Sequence, residues 1–164
     1  MRQKKKNRGF LRVIIMLLSL LAIVPFSYAE NQKFAVGLYY PGVGFRYNLA
    51  PKIGLEARVQ SEDKITVLGA RGYYYLGDKS NVKLFTGAGL HTISFEGDSS
   101  KGTGTALEGF VGGEYFIMDY LSLQMDMGMA IISLSDTDNS ITESGGEFTY
   151  GVGINWYFGG GSGK

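Results

Sequence analysis

The sequence predicts an all-β fold: a closed, antiparallel, eight-stranded transmembrane up-and-down β-barrel, following a cleaved signal peptide. Three observations carry that expectation. After residue 29 the chain breaks into eight stretches with a two-residue apolar rhythm, the period of a strand whose side chains alternate between faces. Bulky apolar residues gather on one parity, and glycine with a few charged residues on the other, as in a barrel whose outside meets lipid. The connections alternate between short and long, the pattern of tight turns on one side of a membrane and longer loops on the other.

Residues 1–29 stand apart from this rhythm. Arg2, Lys4, Lys5, Lys6, Arg8 and Arg12 form a basic start, Val13–Val24 an apolar core, and Ser27-Tyr28-Ala29 a small-residue cleavage site. That is the layout of an export signal. As a membrane anchor the apolar run falls short of the roughly 20 residues a spanning helix needs, and Pro25 interrupts it. Of 16 Lys and Arg and 15 Asp and Glu, six basic and no acidic residues lie in this segment. The remaining chain therefore carries 10 against 15, a net charge of about −5. An acidic exported chain lacks the basic footprint of a nucleic-acid binder. With no cysteine it can form neither disulfides nor thiolate sites.

Strands are expected at about 34–40, 43–49, 53–61, 64–76, 82–95, 106–117, 121–134 and 147–158. Val43, Phe45, Tyr47 and Leu49 alternate with Gly44, Arg46 and Asn48; Ile53, Leu55, Ala57 and Val59 alternate with Gly54, Glu56 and Arg58. The seventh stretch is the clearest, with Leu121, Leu123, Met125, Met127, Met129 and Ile131 against Ser122, Gln124, Asp126, Gly128 and Ala130. A helix would mix those two sets. Ala50–Lys52, Gly77–Asn81 and Met118–Tyr120 read as connections on one side; Pro41-Gly42, Glu62-Asp63, Gly97–Thr105 and Ser135–Gly146 read as connections on the other. An even strand number returns both termini to one side, the periplasm for an exported chain. A soluble barrel with an apolar interior is the alternative, but it would have to pack all the large apolar side chains into a lumen barely wide enough for any.

In the eighth stretch, Phe148, Tyr150, Val152, Ile154, Trp156 and Phe158 alternate with Thr149, Gly151, Gly153, Asn155 and Tyr157. This ending, with Gly153 three residues before Trp156 and a terminal-strand Phe158, resembles the C-terminal assembly signal of bacterial outer-membrane β-barrel proteins. It departs from that pattern in continuing as a flexible Gly/Ser tail over 159–164. The barrel domain is expected to occupy 30–158. Across 33–158 the chain resembles small eight-stranded outer-membrane barrels of the outer membrane protein A and X type. The resemblance implies a bacterial outer-membrane location and roles in envelope integrity, adhesion or surface contacts. It also implies outer-membrane lipid and the barrel assembly machinery as partners. A monomer is expected, and no external ligand is identified.

On this parity the interior receives Arg46, Arg58 and Arg71, with Lys83 at the margin, facing Glu56, Glu108, Glu114 and Asp126. Tyr73, Tyr75, Gln124, Asn48 and Asn155 are available to complete hydrogen bonds. Charges removed from water must be paired, so this balance predicts a plugged network in preference to an open ion path.

No catalytic, metal or cofactor site is expected. His91 is the sole histidine and a lipid-modifying enzyme is the competing reading, but His91 and Ser94 lie three apart, on opposite faces of a regular strand. Glu108 and Glu114, six apart, are roughly 20 Å distant along a strand, too far for shared acid–base work. Asp136, Asp138, Ser140 and Glu147 imitate part of a calcium loop, but Ile141 replaces the required turn glycine, and a solvated acidic loop is the expectation. Gly102-Thr103-Gly104-Thr105 completes no phosphate-binding motif. A slow small-solute pore is the third functional alternative.

Overall fold

A computed structural model describes residues 33–79, 81–97, 101–136 and 142–159. The proposed export signal and nearly all of the Gly/Ser tail lie outside the described residues. Eight strands follow in order: β1 (Phe34–Tyr39), β2 (Gly42–Ala50), β3 (Ile53–Glu62), β4 (Ile65–Lys79), β5 (Val82–Glu96), β6 (Lys101–Met118), β7 (Leu121–Asp136) and β8 (Thr142–Phe158). Each pairs antiparallel with the next, and β1 returns to β8, closing the barrel. Closure runs from Phe34 opposite Phe158 to Tyr39 opposite Gly153. It pairs both sheet edges along that length, which matters where no water can satisfy free backbone groups.

The alternation sorts the side chains as their chemistry requires. Leu123, Met125, Met127, Met129 and Ile131 are exposed on the outer wall, and Ser122, Gln124, Asp126 and Ala130 are buried in the lumen. From Phe148 to Phe158 the outward apolar face of β8 runs roughly 33 Å along the strand. At a tilt of about 40° that is roughly 25 Å of height, the width of a hydrocarbon band. Three register shifts, at Asn48/Ala50, Tyr75/Gly77 and Phe116/Met118, all sit beside the short turns at the lower rim. Aromatic rings gather there too: Phe34 stacks on Phe158 with centroids 6.0 Å apart, and Trp156 lies 6.1 Å from Tyr120.

The strands are longer than their apolar rhythm. Residues 101–105, 135–136 and 142–146, expected in loops, belong to β6, β7 and β8. The reason is a reversal of polarity along the sheet. Outward positions change from Leu90, Leu107 and Ile131 to Thr92, Thr105 and Ser133, and the hydroxyls of Ser133 and Ser144 lie 3.1 Å apart across two strands. On the luminal side of the same rows stand Ile93, Phe95, Ile132 and Leu134. The hairpins thus continue beyond the lipid-type band with a hydroxyl-rich outside and an apolar inside. A search for apolar outward residues stops where that change begins.

Candidate functional site

The register builds the lumen's charge cluster row by row. Arg46 on β2 is opposite Glu56 on β3, which is opposite Arg71 on β4; Arg58 is opposite Gly44 and Gly69. Paired residues in a sheet share a face, so these side chains enter the lumen together. Arg46 is the hub. Its Nη2 donates to Glu56 Oε2 at 2.7 Å and to Gln124 Oε1 at 2.6 Å; its Nη1 reaches Glu114 Oε2 at 3.3 Å and the Tyr157 hydroxyl at 3.2 Å. Glu56 also accepts from Arg58 at 2.7 Å and lies 2.7 Å from the Tyr39 hydroxyl. Glu114 is fully buried and accepts from Ser122, from Asn155 at 2.8 Å and from Tyr157 at 2.7 Å. The desolvation that would penalise an isolated carboxylate is offset by several donors at once.

A second cluster lies higher. Arg71 donates to Asp126 at 2.9 Å and lies 3.2 Å from Glu108. Gln124 donates to Asp126 at 2.8 Å, linking the two clusters. Glu108 accepts from Thr149 at 3.0 Å and meets His91 Nε2 at 3.1 Å. All seven charged residues anticipated for the interior lie in these two clusters, and Asn48, Tyr73, Tyr75, Gln124 and Asn155 project into the same lumen. Lys83 lies lower, its Nζ 5.1 Å from the centre of the Phe116 ring.

Sequence reasoning missed the aromatic filling. It placed Tyr73 and Tyr75 in the lumen but assigned no face to Phe85 and Phe110, which are buried inside against them. Their rings occupy space left by luminal glycines: a β-carbon at Gly112 would stand 2.6 Å from Phe85, and one at Gly87 2.3 Å from Phe110. Arginine planes cover the aromatic faces, Arg58 at 3.6 Å from the Tyr39 ring centre and Arg71 at 3.7 Å from that of Phe110. Such contacts add to the ion pairs where water is excluded. Tyr39, Ser122 and Thr149 were likewise not foreseen as partners; their luminal parity beside charged neighbours was the available signal.

The geometry bears directly on the catalytic alternative. His91 pairs with Gly69 and Ala106 on the luminal side, whereas Ser94 pairs with Thr66 and Thr103 on the outer side. Glu108 stands between His91 and Thr149, so the carboxylate takes both groups. Asp136 ends β7, while Glu147 lies opposite Ala130, roughly 20 Å down the sheet. Two ends of the calcium-like stretch are therefore far apart, and Asp138, Asn139 and Ser140 lie outside the described residues. No group of three or more metal-ligating side chains occurs among the described residues.

The residues assigned to an assembly signal close the ring. Trp156 pairs with Val36 and Phe158 with Phe34. Gly153 also has a packing role: a β-carbon there would stand 2.2 Å from Tyr39 Cδ1.

A closed eight-stranded ring, apolar outside and charged inside, defines a class by its fold, that of the eight-stranded outer-membrane β-barrels. Within that class the chain is similar in structure to the N-terminal β-barrel domain of Pseudomonas aeruginosa OprF, known from its crystal structure. The TM-score is 0.54 at 15% sequence identity, covering 76% of this chain and 93% of that one. At such identity the likeness establishes the fold. No protein-family model matches the sequence, and no curated protein matches it by sequence.

Proposed function

We propose that this protein is a non-enzymatic integral barrel of the bacterial outer membrane. Its lumen is a structural brace, and its role in envelope integrity or surface contact is exerted through the end that stands clear of the lipid. The observation that carries this reading is the bonding of Arg46. Buried to 1% exposure, it reaches side chains on β1, β3, β4, β6, β7 and β8. A cation held from so many walls closes the lumen, and opening a path would require separating several buried ion pairs at once. The location is supported by the outward apolar band and by the likeness to the OprF barrel. Both termini are taken to face the periplasm, and residues 1–29 to be removed on export.

Two measurements test the proposal. In planar bilayers the refolded protein should give no sustained conductance above that of protein-free membrane. With lipid A or phospholipid as substrate it should release no fatty acid, and His91→Ala should change nothing. Steady ion current would favour the pore; fatty-acid release that disappears in His91→Ala would establish the enzyme.

A further inference from the structure

The ring closes only part of the way up. Tyr39 pairs with Gly153, Tyr40 N–H donates to Val152 O at 3.1 Å, and β1 ends there. β8 continues upward through Thr142–Gly151, paired with β7, and no strand covers its other edge among the described residues. In an antiparallel ladder each residue points its N–H and C=O to the same side, and successive residues alternate. Tyr157 N–H donates to Tyr120 O toward β7, so the odd-numbered residues of β8 face β7 and the even-numbered ones face away. Thr142, Ser144, Gly146, Phe148 and Tyr150 therefore hold out their backbone donors and acceptors along a free edge.

Natural proteins blunt an edge of this kind with lysine, proline, a bulge or inward-pointing charges. The segment, Thr-Glu-Ser-Gly-Gly-Glu-Phe-Thr-Tyr, has no lysine or proline and its register with β7 is unbroken; its only charges are Glu143 and Glu147. The edge begins within the apolar band at Tyr150, in the row of Met127, and rises past the band through Ser144 and Thr142; Phe148 and Tyr150 on it are 67% and 77% exposed. The gap above the short β1–β2 hairpin is two strands wide, roughly 10 Å, which is room for an added strand. Glu143 and Glu147 project from the luminal face of the same segment. Both are exposed and neither has a cationic partner among the described residues; the same holds for Glu62 on the far side of the gap.

We infer that the upper edge of β8 is a docking site for an extended, cationic peptide segment of another protein, which adds beside it as a further strand. Main-chain hydrogen bonds to the even-numbered residues supply the attachment, and alternate basic side chains meet Glu143 and Glu147. A second copy of this chain does not fit. Antiparallel pairing of two β8 edges needs a two-fold axis perpendicular to the barrel wall, which would invert one copy in the membrane, and it would bring acid to acid. The inference rests on the membrane-barrel reading and names a partner for it.

The test uses the refolded protein in uncharged detergent micelles with a fluorescent peptide of about nine residues of alternating lysine and valine, and a second of alternating glutamate and valine. Saturable binding of the lysine peptide alone is expected, weakening as salt rises. Gly146→Pro removes an N–H on the free edge and leaves the β7 ladder intact, and should weaken binding about tenfold. Glu143→Gln with Glu147→Gln should weaken it similarly and flatten the salt dependence. Equal binding of the glutamate peptide, no saturable binding, or undiminished binding in Gly146→Pro would overturn the inference. Heat-dependent gel mobility is measured on the same samples. Should Gly146→Pro fail to fold, Ser144→Pro makes the same test on the same edge. An unmodified protein without a mobility shift sinks the barrel reading itself; a normal shift without peptide binding sinks the docking site alone.

Discussion

Arg46 Nη1 lies 3.3 Å from Glu114 Oε2, and the two residues stand on β2 and β6, opposite walls of an eight-stranded ring. Neighbouring strands are already joined by their backbone ladders. A side-chain bond across the diameter does something the ladders cannot: it fixes the cross-section of the barrel. Both side chains are almost completely buried, at 1% and 0% exposure; Glu114 depends on Arg46 for charge compensation, while Arg46 is shared between Glu114 and Glu56.

Breaking that dependence on one side should be costly. Arg46→Met leaves Glu114 without a cation and Glu56 with Arg58 alone, and should destabilise the barrel by about 3–5 kcal/mol. Adding Glu114→Gln to Arg46→Met should recover part of that loss, because the uncompensated carboxylate is gone. Reversible urea unfolding in lipid vesicles checks both variants. Additive losses would mean that the two residues are energetically independent despite their contact.

Adjacent positions on β7 separate the two faces. Met127 is outward and 57% exposed, opposite Val111 and Tyr150. Met127→Arg should cost about 2–4 kcal/mol near the bilayer centre and reduce insertion. Asp126→Asn, on the luminal side, removes one partner of Arg71 but leaves Glu108 beside it. Insertion should persist with lowered stability. Equal tolerance of arginine at both positions would contradict the assigned faces.

Gly153 allows packing to be distinguished from signalling. If its value lies in making room for the Tyr39 ring, Gly153→Ala should reduce the heat-modifiable, folded protein, and Tyr39→Ala in the same chain should restore part of it. Failure of that rescue would leave recognition by the assembly machinery as the reason for the glycine. Trp156→Ala with Phe158→Ala should lower the folded amount through lost lipid-facing and closure contacts. The readout throughout is gel mobility of unheated and boiled outer-membrane samples.

Much of this architecture was legible because one periodicity carries it. Alternation on a single strand placed Arg46, Glu56, Arg71 and Asp126 on the side away from Phe45, Leu55 and Met127, and closure of β1 on β8 followed from the need to pair both edges in lipid. Contacts across the lumen were not legible. That Arg46 meets Glu114, or Arg71 meets Asp126, depends on barrel stagger, which no single strand encodes. The inward Phe85 and Phe110 were assigned to no face, because hydrophobicity alone cannot tell a lipid-facing ring from one seated over a luminal glycine. The upper hairpins were read as loops because their outward residues are Thr and Ser and several inward ones are Gly. Pairing there comes from the backbone and hydroxyl ladders, which hydropathy does not register.

That polarity change yields a test of where lipid ends. On β6 the outward series runs Tyr115, Gly113, Val111, Gly109, Leu107, Thr105 and Thr103. Val111 lies opposite Met127, near the middle of the apolar band. Thr105 is six residues further up, roughly 20 Å along the strand and roughly 15 Å along the axis, past the half-height of a band about 25 Å tall. Arginine at Val111 should therefore cost about 2–4 kcal/mol, whereas arginine at Thr105 should cost no more than about 1 kcal/mol, with Leu107→Arg between them. All three side chains point outward and none touches the luminal charges, so the series reports depth alone. Measured by urea unfolding in vesicles of uniform thickness, the cost should fall steadily toward the hydroxyl-rich end. A flat series, or a Thr105→Arg penalty equal to that at Val111, would show that lipid reaches beyond the change from leucine to threonine.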